Sequence, residues 1–234
     1  MTDDDSTTKP STDDGFGGDA GNAPVIEEAR GRNIVLHFEG RRCIHSRNCV
    51  LGAPSVFKAD VKGAWIDADG APVEELAAIA RSCPSGAITY ERTDGGPAEE
   101  PPPVNVVRIR ENGPLAVHAE IDIEGHESMV RATLCRCGAS RNKPFCDGAH
   151  VAAQFAASGE PPSQPTDPLG SRGGALAITP IPDGPLNVRG SVEICTGTGR
   201  TIARTRRAAM CRCGGSANKP FCDGAHARIG FRAK

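Results

Sequence analysis

The chain has 234 residues and a formal net charge of −2, and Leu, Ile, Val and Phe supply only 43 of them. That apolar share, about 18%, is thin, but without high net charge it does not mark a disordered chain. Ten Cys stand against it. A small core with many Cys points to staples, either disulfides or metals. No apolar run reaches about 18 residues, so no transmembrane helix is expected. The opening Met1-Thr2-Asp3-Asp4-Asp5 lacks the apolar segment of a secretory signal. The expectation is a soluble cytoplasmic protein, where clustered Cys bind metal or do redox chemistry more often than they pair.

Residues 1–30 carry eight acids and two bases and read as a disordered acidic tail. The remainder is weakly basic, which is no nucleic-acid signature. A first module spans 31–92. Asn33–Phe38, Ala64–Ile66 and Ala87–Glu91 are strand candidates. Pro72–Ser82 predicts a helix: Pro72 suits the first turn, Glu74 and Glu75 favour the positive end of the dipole, and Val73, Leu76, Ala77 and Ala80 share a face. Pro84 stops it. Residues 93–103 form a proline-stiffened linker.

Two further modules, 104–157 and 175–234, are an internal repeat joined by a second linker, 158–174. Leu115–Ile123 and Leu186–Ile194 alternate with period two, the signature of half-buried strands. Each follows a Gly-Pro turn, Gly113-Pro114 and Gly184-Pro185, with an earlier strand before it (Val104–Arg110 and Ala175–Thr179). From Gly113 to Cys135 is 22 residues and from Gly184 to the equivalent Cys211 is 27, so the second copy is five residues longer. A longer hairpin loop near Cys195–Gly199 is the expected cause. Phe155 and Phe231 each lie five residues after a repeated His and are expected in the core.

The repeat's main feature is Cys135-Arg-Cys137-Gly-Ala-Ser140-Arg-Asn-Lys-Pro144-Phe-Cys146-Asp147-Gly148-Ala-His150, which recurs from Cys211 through Cys213, Ser216, Pro220, Cys222, Asp223 and Gly224 to His226. Each copy offers three thiolates and one imidazole within sixteen residues. Spacing leaves open a Cys3His zinc site and an iron–sulfur site, because both accept these donors. The wording of the motif resembles the CDGSH iron–sulfur (mitoNEET-like) family, whose pattern C-x-C-x2-[ST]-x3-P-x-C-D-G-[SAT]-H both copies match throughout. The resemblance implies two [2Fe–2S] clusters, one on Cys135, Cys137, Cys146 and His150 and one on Cys211, Cys213, Cys222 and His226. It also implies that two motifs in one chain form an intrachain pseudo-dimer, a monomer with an internal twofold. Asp147 and Asp223 are either second-layer or turn residues.

In the first module, Cys43-Ile-His45-Ser46-Arg-Asn-Cys49 and the distant Cys83-Pro84 resemble a single-cluster bacterial ferredoxin of the divergent 4Fe–4S mono-cluster group. A loop supplies two Cys, and the end of the Pro72–Ser82 helix supplies the third. Ser46 stands where that family has its second Cys. Three Cys suffice for [3Fe–4S]; a [4Fe–4S] form needs His45, Ser46 or an exogenous group as fourth ligand. Cys195 is left over and reads as a small buried or edge thiol.

The expected fold class is therefore α+β: a small ferredoxin-like α+β domain followed by two mainly-β CDGSH modules. The sequence holds no nucleophile elbow, Walker A loop or dinucleotide fingerprint, so no enzyme is expected. The leading reading is a one-electron carrier served by a reductase and an acceptor protein, with neither nucleic acid nor membrane as partner. Cluster transfer to apo iron–sulfur proteins, or iron or redox sensing, is the alternative, and a structural zinc module the third.

Overall fold

The computed structural model describes residues 25–59 and 61–233. Most of the expected acidic tail lies outside the described residues, but its end is corrected. Strand β1 (Ile26–Arg30) pairs antiparallel with β2 (Ile34–Glu39), Ala29 opposite Leu36. Ala29 packs on the first core, and the Trp65 indole N–H donates to Glu27 at 3.2 Å. These contacts hold residues that acidic composition alone assigns to solvent.

Helix α1 (Asn48–Gly52), helix α2 (Val73–Arg81) and strand β3 (Ile88–Arg92) complete the first unit, a sheet in the order β1-β2-β3 with two short helices. Pro72 and Ser82 cap α2. Glu74 and Glu75 sit in its first turn and Arg81 in its last, complementing the helix dipole. Leu76, Ala77 and Ala80 are buried in one cluster with Ile34, Leu36, Ile88 and Tyr90. The expected strand at Ala64–Ile66 is only a single bridge, Phe57 to Ile66. Lys58 N–H to Trp65 O and Asp67 N–H to Val56 O close a short loop there rather than extend a ladder.

The remaining strands are β4 (Val106–Ile109), β5 (Leu115–Ile123), β6 (Met129–Leu134), β7 (Ala175–Pro180), β8 (Leu186–Cys195) and β9 (Thr201–Met210). The chain is thus mostly strands with few helices. All six share one sheet, and the repeats exchange partners in it. β4 pairs antiparallel with the start of β5, then parallel with the end of β8, Val106 facing both His118 and Glu193. β7 does the reverse, antiparallel with the start of β8 and parallel with the end of β5. Each long strand is therefore completed by the other repeat. Strict alternation buries Leu115, Val117, Ala119, Ile121 and Ile123 of β5 in a single core with Leu176, Leu186, Val192 and Ile202. Burying each large aliphatic side chain contributes about 1.5–3 kcal/mol.

The extra five residues of the second copy do not lengthen a loop. Residues 124–128 and 196–200 are equally long turns. β8 is longer than β5 (10 residues against 9) and β9 longer than β6 (10 against 6). The insertion is spent on ladder bonds, which continue to Cys195 opposite Thr201.

The two expected linkers lie on this core. Gln164 N–H bonds Ile202 O at 2.7 Å, and Arg172 pairs with Glu193 at 2.7 Å. Glu99 pairs with Arg131 at 2.6 Å. Among the described residues no helix is long and apolar enough to cross a membrane.

Candidate metal centres

Each repeated motif is folded as a backbone hairpin that starts where its last strand ends. Cys135 N–H donates to Pro144 O and Cys146 N–H to Thr133 O, at 2.9 and 2.8 Å. In the second copy Cys211 bonds Pro220 O and Cys222 bonds Ala209 O, both at 2.8 Å. The first and third Cys are thereby fixed on neighbouring strands. Ser140 Oγ ties the loop, donating to Phe145 O at 2.6 Å and accepting from Asn142 N–H at 3.0 Å; Ser216 repeats both bonds.

The His arrives on a short turn of helix, α3 (Ala149–Ala152) or α4 (Ala225–Arg228). Gly148 and Gly224 precede them at φ 84 and 83, a backbone region that costs a side chain energy. Asp147 and Asp223 prove to be turn residues. Asp147 accepts Ala149 N–H at 3.0 Å and Arg141 N–H at 2.8 Å, and Asp223 does the same for Ala225 and Ala217. Those bonds hold the Asp223 carboxyl below the usual carboxylate range.

The donors fall into pairs. Cys135 and Cys137 sulfurs stand 3.8 Å apart, and Cys146 Sγ lies 3.4 Å from His150 Nδ1. The second motif gives 3.7 and 3.4 Å. Two thiolates on one tetrahedral metal, at about 2.3 Å each, stand about 3.8 Å apart. Each pair is thus spaced to hold one tetrahedral metal. Among the described residues no three Cys, His, Asp or Glu side chains converge on a single ion position, as a mononuclear Cys3His site requires. The donor chemistry and spacing fit a dinuclear group.

Backbone N–H groups point at the sulfurs: Ala139 at Cys137, Gly148 at Cys146, Gly215 at Cys213 and Gly224 at Cys222, each at 3.4 Å. Such bonds favour thiolate over thiol. The contact with Cys135, together with Ala139 N–H, brings the Cys137 thiol down to about 6, whereas Cys135 moves up. Burial pushes Cys146 up to about 12 and lowers His150, keeping the imidazole neutral and able to ligate.

Sequence reasoning missed the Arg between the first two Cys. Arg136 and Arg212 are among the largest fully buried side chains. Arg136 donates to Gly113, Ser158, Arg110 and Ala157 carbonyls and lies over Phe155, 5.3 Å from the ring centroid. Arg212 bonds Gly184 and Ile181 carbonyls and lies 5.6 Å from the Phe231 centroid. The two Phe therefore carry cations: Phe231 is buried, Phe155 half-buried. Occurrence of the same Arg in both copies was the available signal.

The pattern described as "Iron-binding zinc finger CDGSH type" matches residues 112–151 and 183–227, the two hairpins with these donors. The chain is a tandem CDGSH protein. A "Divergent 4Fe-4S mono-cluster" pattern matches residues 29–93, so the tandem CDGSH protein carries that domain ahead of its repeat. The chain is also similar to "Uncharacterized protein YjdI" of Escherichia coli K12, 37% identical over 60 residues, 26% of this chain and 78% of that one. The O157:H7 protein of the same name matches equally. Both matching families are iron–sulfur families, and the protein is an iron–sulfur protein.

In the N-terminal domain of this CDGSH protein, Cys43 follows a short 3-10 turn, Gly40–Arg42. Cys49 lies inside α1, not in a loop as expected, and Cys83 lies just past α2. The three thiols act on one another electrostatically, and burial, the largest cause, raises Cys43 and Cys49. His45 N–H donates to Cys43 Sγ at 3.4 Å. His45 and Arg47 hold positive φ, 52° and 62°, so the chain reverses tightly around Ser46. Cys195, outside all three groups, is buried with Thr201 Oγ1 at 3.7 Å.

Proposed function

We propose that the protein is a non-enzymatic one-electron carrier with a [2Fe–2S] cluster on each CDGSH motif and a [3Fe–4S] or [4Fe–4S] cluster in a ferredoxin-like α+β domain on Cys43, Cys49 and Cys83. His45 or Ser46 would be the fourth ligand of the cubane form. The reading rests on one observation above all: in both motifs the four donors form a Cys–Cys pair and a Cys–His pair, each spaced for one tetrahedral metal. Bound there, such clusters would supply reversible one-electron chemistry, and the chain's work is ligation, spacing and tuning. Reciprocal exchange of β4 and β7 between the repeats supports an intrachain pseudo-dimer. Ten free thiols suit a reducing, cytoplasmic compartment. The partners are a reductase and an electron acceptor.

Anaerobic iron, sulfide and zinc analysis with EPR tests this. About seven irons per chain are expected with a [3Fe–4S] centre, or about eight with [4Fe–4S]. Stoichiometric zinc without acid-labile sulfide would overturn the reading.

One observation favours cluster transfer as a second reading. In the first motif Cys135 and Cys146 are buried while His150 is half-exposed, so solvent protons reach that imidazole before the first and third thiolates. Mixing the loaded protein with an apo-ferredoxin at mildly acid pH separates the two: intact transfer favours the second reading, reversible reduction without loss the first.

A further inference from the structure

Among the described residues, the N-terminal domain is docked on the first CDGSH repeat. The outward face of β5–β6 in the first repeat carries Ala116, His118, Arg131 and Thr133. The β6 side of it is covered, with Arg131 and Thr133 5% and 1% exposed, while His118 on β5 stays exposed. Arg131 reaches across: its Nη1 donates to the carbonyls of Ala80 and Cys83, and Nη2 to Ile88 O at 3.0 Å. Arg42, the neighbour of Cys43, reaches back. Its Nη2 donates to Arg131 O at 2.9 Å and Ser85 O at 3.0 Å, and its guanidinium lies 4.8 Å from the Phe145 ring centroid. Asn142 Nδ2 donates to Arg41 O at 2.9 Å. Gly86 fits so tightly that a Cβ there would stand 2.6 Å from Arg131 O.

The second repeat is the internal control. Its register places Arg207 opposite Arg189 as Arg131 stands opposite His118. Arg207 and Ala209 are exposed there and Phe221 is half-buried. Arg207 and Ala209, with Asn187 and Arg189, border an open cavity of about 260 Å³. Among the described residues, no part of the chain fills on this repeat the place the N-terminal domain fills on the other.

Resting on the reading that all three sites hold clusters, we propose that the N-terminal site and the first CDGSH site are an internal redox pair, which the second CDGSH site, bridged to the first at Cys137 and Cys213, joins only through the first. Arg42 and Arg131 are its positioning residues. The connection runs from the Cys83 carbonyl through Arg131 to Arg42, onto the Phe145 ring and into the adjoining ligand Cys146. One electron leaves the reduced N-terminal site and one enters the oxidised first CDGSH site. No bond forms or breaks and no proton moves. A one-electron chemical reductant such as dithionite supplies the first electron from outside.

The test is rapid-mix, freeze-quench EPR of the full loaded chain with substoichiometric dithionite. His150→Cys and His226→Cys variants assign the two [2Fe–2S] signals. The first CDGSH signal should grow as the reduced N-terminal centre reoxidises, several-fold faster than the second. Phe145→Leu should remove that advantage at full iron content and Phe145→Tyr restore it, while Arg207→Gln changes nothing. Arg131→Met should raise hydrogen exchange at residues 80–88 without altering the second repeat. Equal rates at the two CDGSH sites in the unaltered chain, or an unchanged rate in Phe145→Leu, would overturn the pairing while leaving the cluster reading intact. Missing iron or sulfide would instead overturn the cluster reading.

Discussion

Cys137 and Cys213, the second Cys of each motif, face one another across an antiparallel backbone bridge. The glycine after each is shaped by the other's carbonyl. A Cβ on Gly138 would lie 2.7 Å from Cys213 O, and one on Gly214 would lie 2.5 Å from Cys137 O. Both glycines hold positive φ, 85° and 79°. Gly138→Ala therefore combines backbone strain of about 1–3 kcal/mol with a backbone clash that has no flexible end to yield. Iron content should fall at both motifs, not only the first. Gly125→Ala is the control, since Gly125 has φ 82° but open space around it; it should cost stability and leave both sites loaded.

Arg136→Met leaves the carbonyls of Gly113, Arg110, Ala157 and Ser158 without their common donor. The Arg110 and Ala157 carbonyls keep the backbone N–H groups of Gly113 and Asn112, and of the four bonds only that to Gly113 O is fully buried. One buried group left unsatisfied costs about 1–3 kcal/mol, so a loss of about that size is expected in chemical denaturation. Lys should not rescue, because one ammonium cannot replace a planar fork reaching four acceptors. The Arg136 guanidinium also acts electrostatically on Cys211 of the other motif as well as on Cys137. Removing this positive charge should lower the reduction potentials of both CDGSH sites in a redox titration.

Much of this was legible because the motif encodes its own folding. Cys135 to His150 contains the donors, the tying Ser140, the turn-forming Asp147 and the Gly148 whose φ the turn requires, all local in sequence. The α2 face and the alternation of β5 were equally local. What could not be read is the pairing between distant segments. Nothing in Val106–Ile109 says that it leaves its own repeat to run beside β8. Ile26–Arg30 looks like acidic tail until β2 offers an edge. Arg131 carries no local sign of burial; its 5% exposure comes from partners in the N-terminal domain.

A cluster held partly by imidazole would be acid-labile site by site, because only neutral His binds metal. His150 and His226 are half-exposed and each lies 3.4 Å from its Cys partner. Lowering the pH should bleach both CDGSH sites in visible absorbance. In His150→Cys the first site should resist acid while the second still bleaches. Equal acid loss at both sites of that variant would show that the imidazole is not the acid-sensitive ligand.

Glu193 predicts a second pH effect that does not involve the clusters. Its carboxylate binds Arg172 of the 158–174 segment at 2.7 Å, Arg204 at 3.4 Å and the Thr201 hydroxyl at 3.3 Å. The bond to Arg172, the largest cause, holds Glu193 below the usual Glu value of 4.5 in the folded chain. The folded state thus binds fewer protons than the unfolded one near that pH, and stability rises with pH. The contribution is complete above about pH 5 and is lost as pH falls through the depressed folded value. Residues 158–174 should therefore become sensitive to an acid-active protease at about pH 3, and resist cleavage at pH 7. Glu193→Gln should expose the same segment at pH 7, with little further change on acidification.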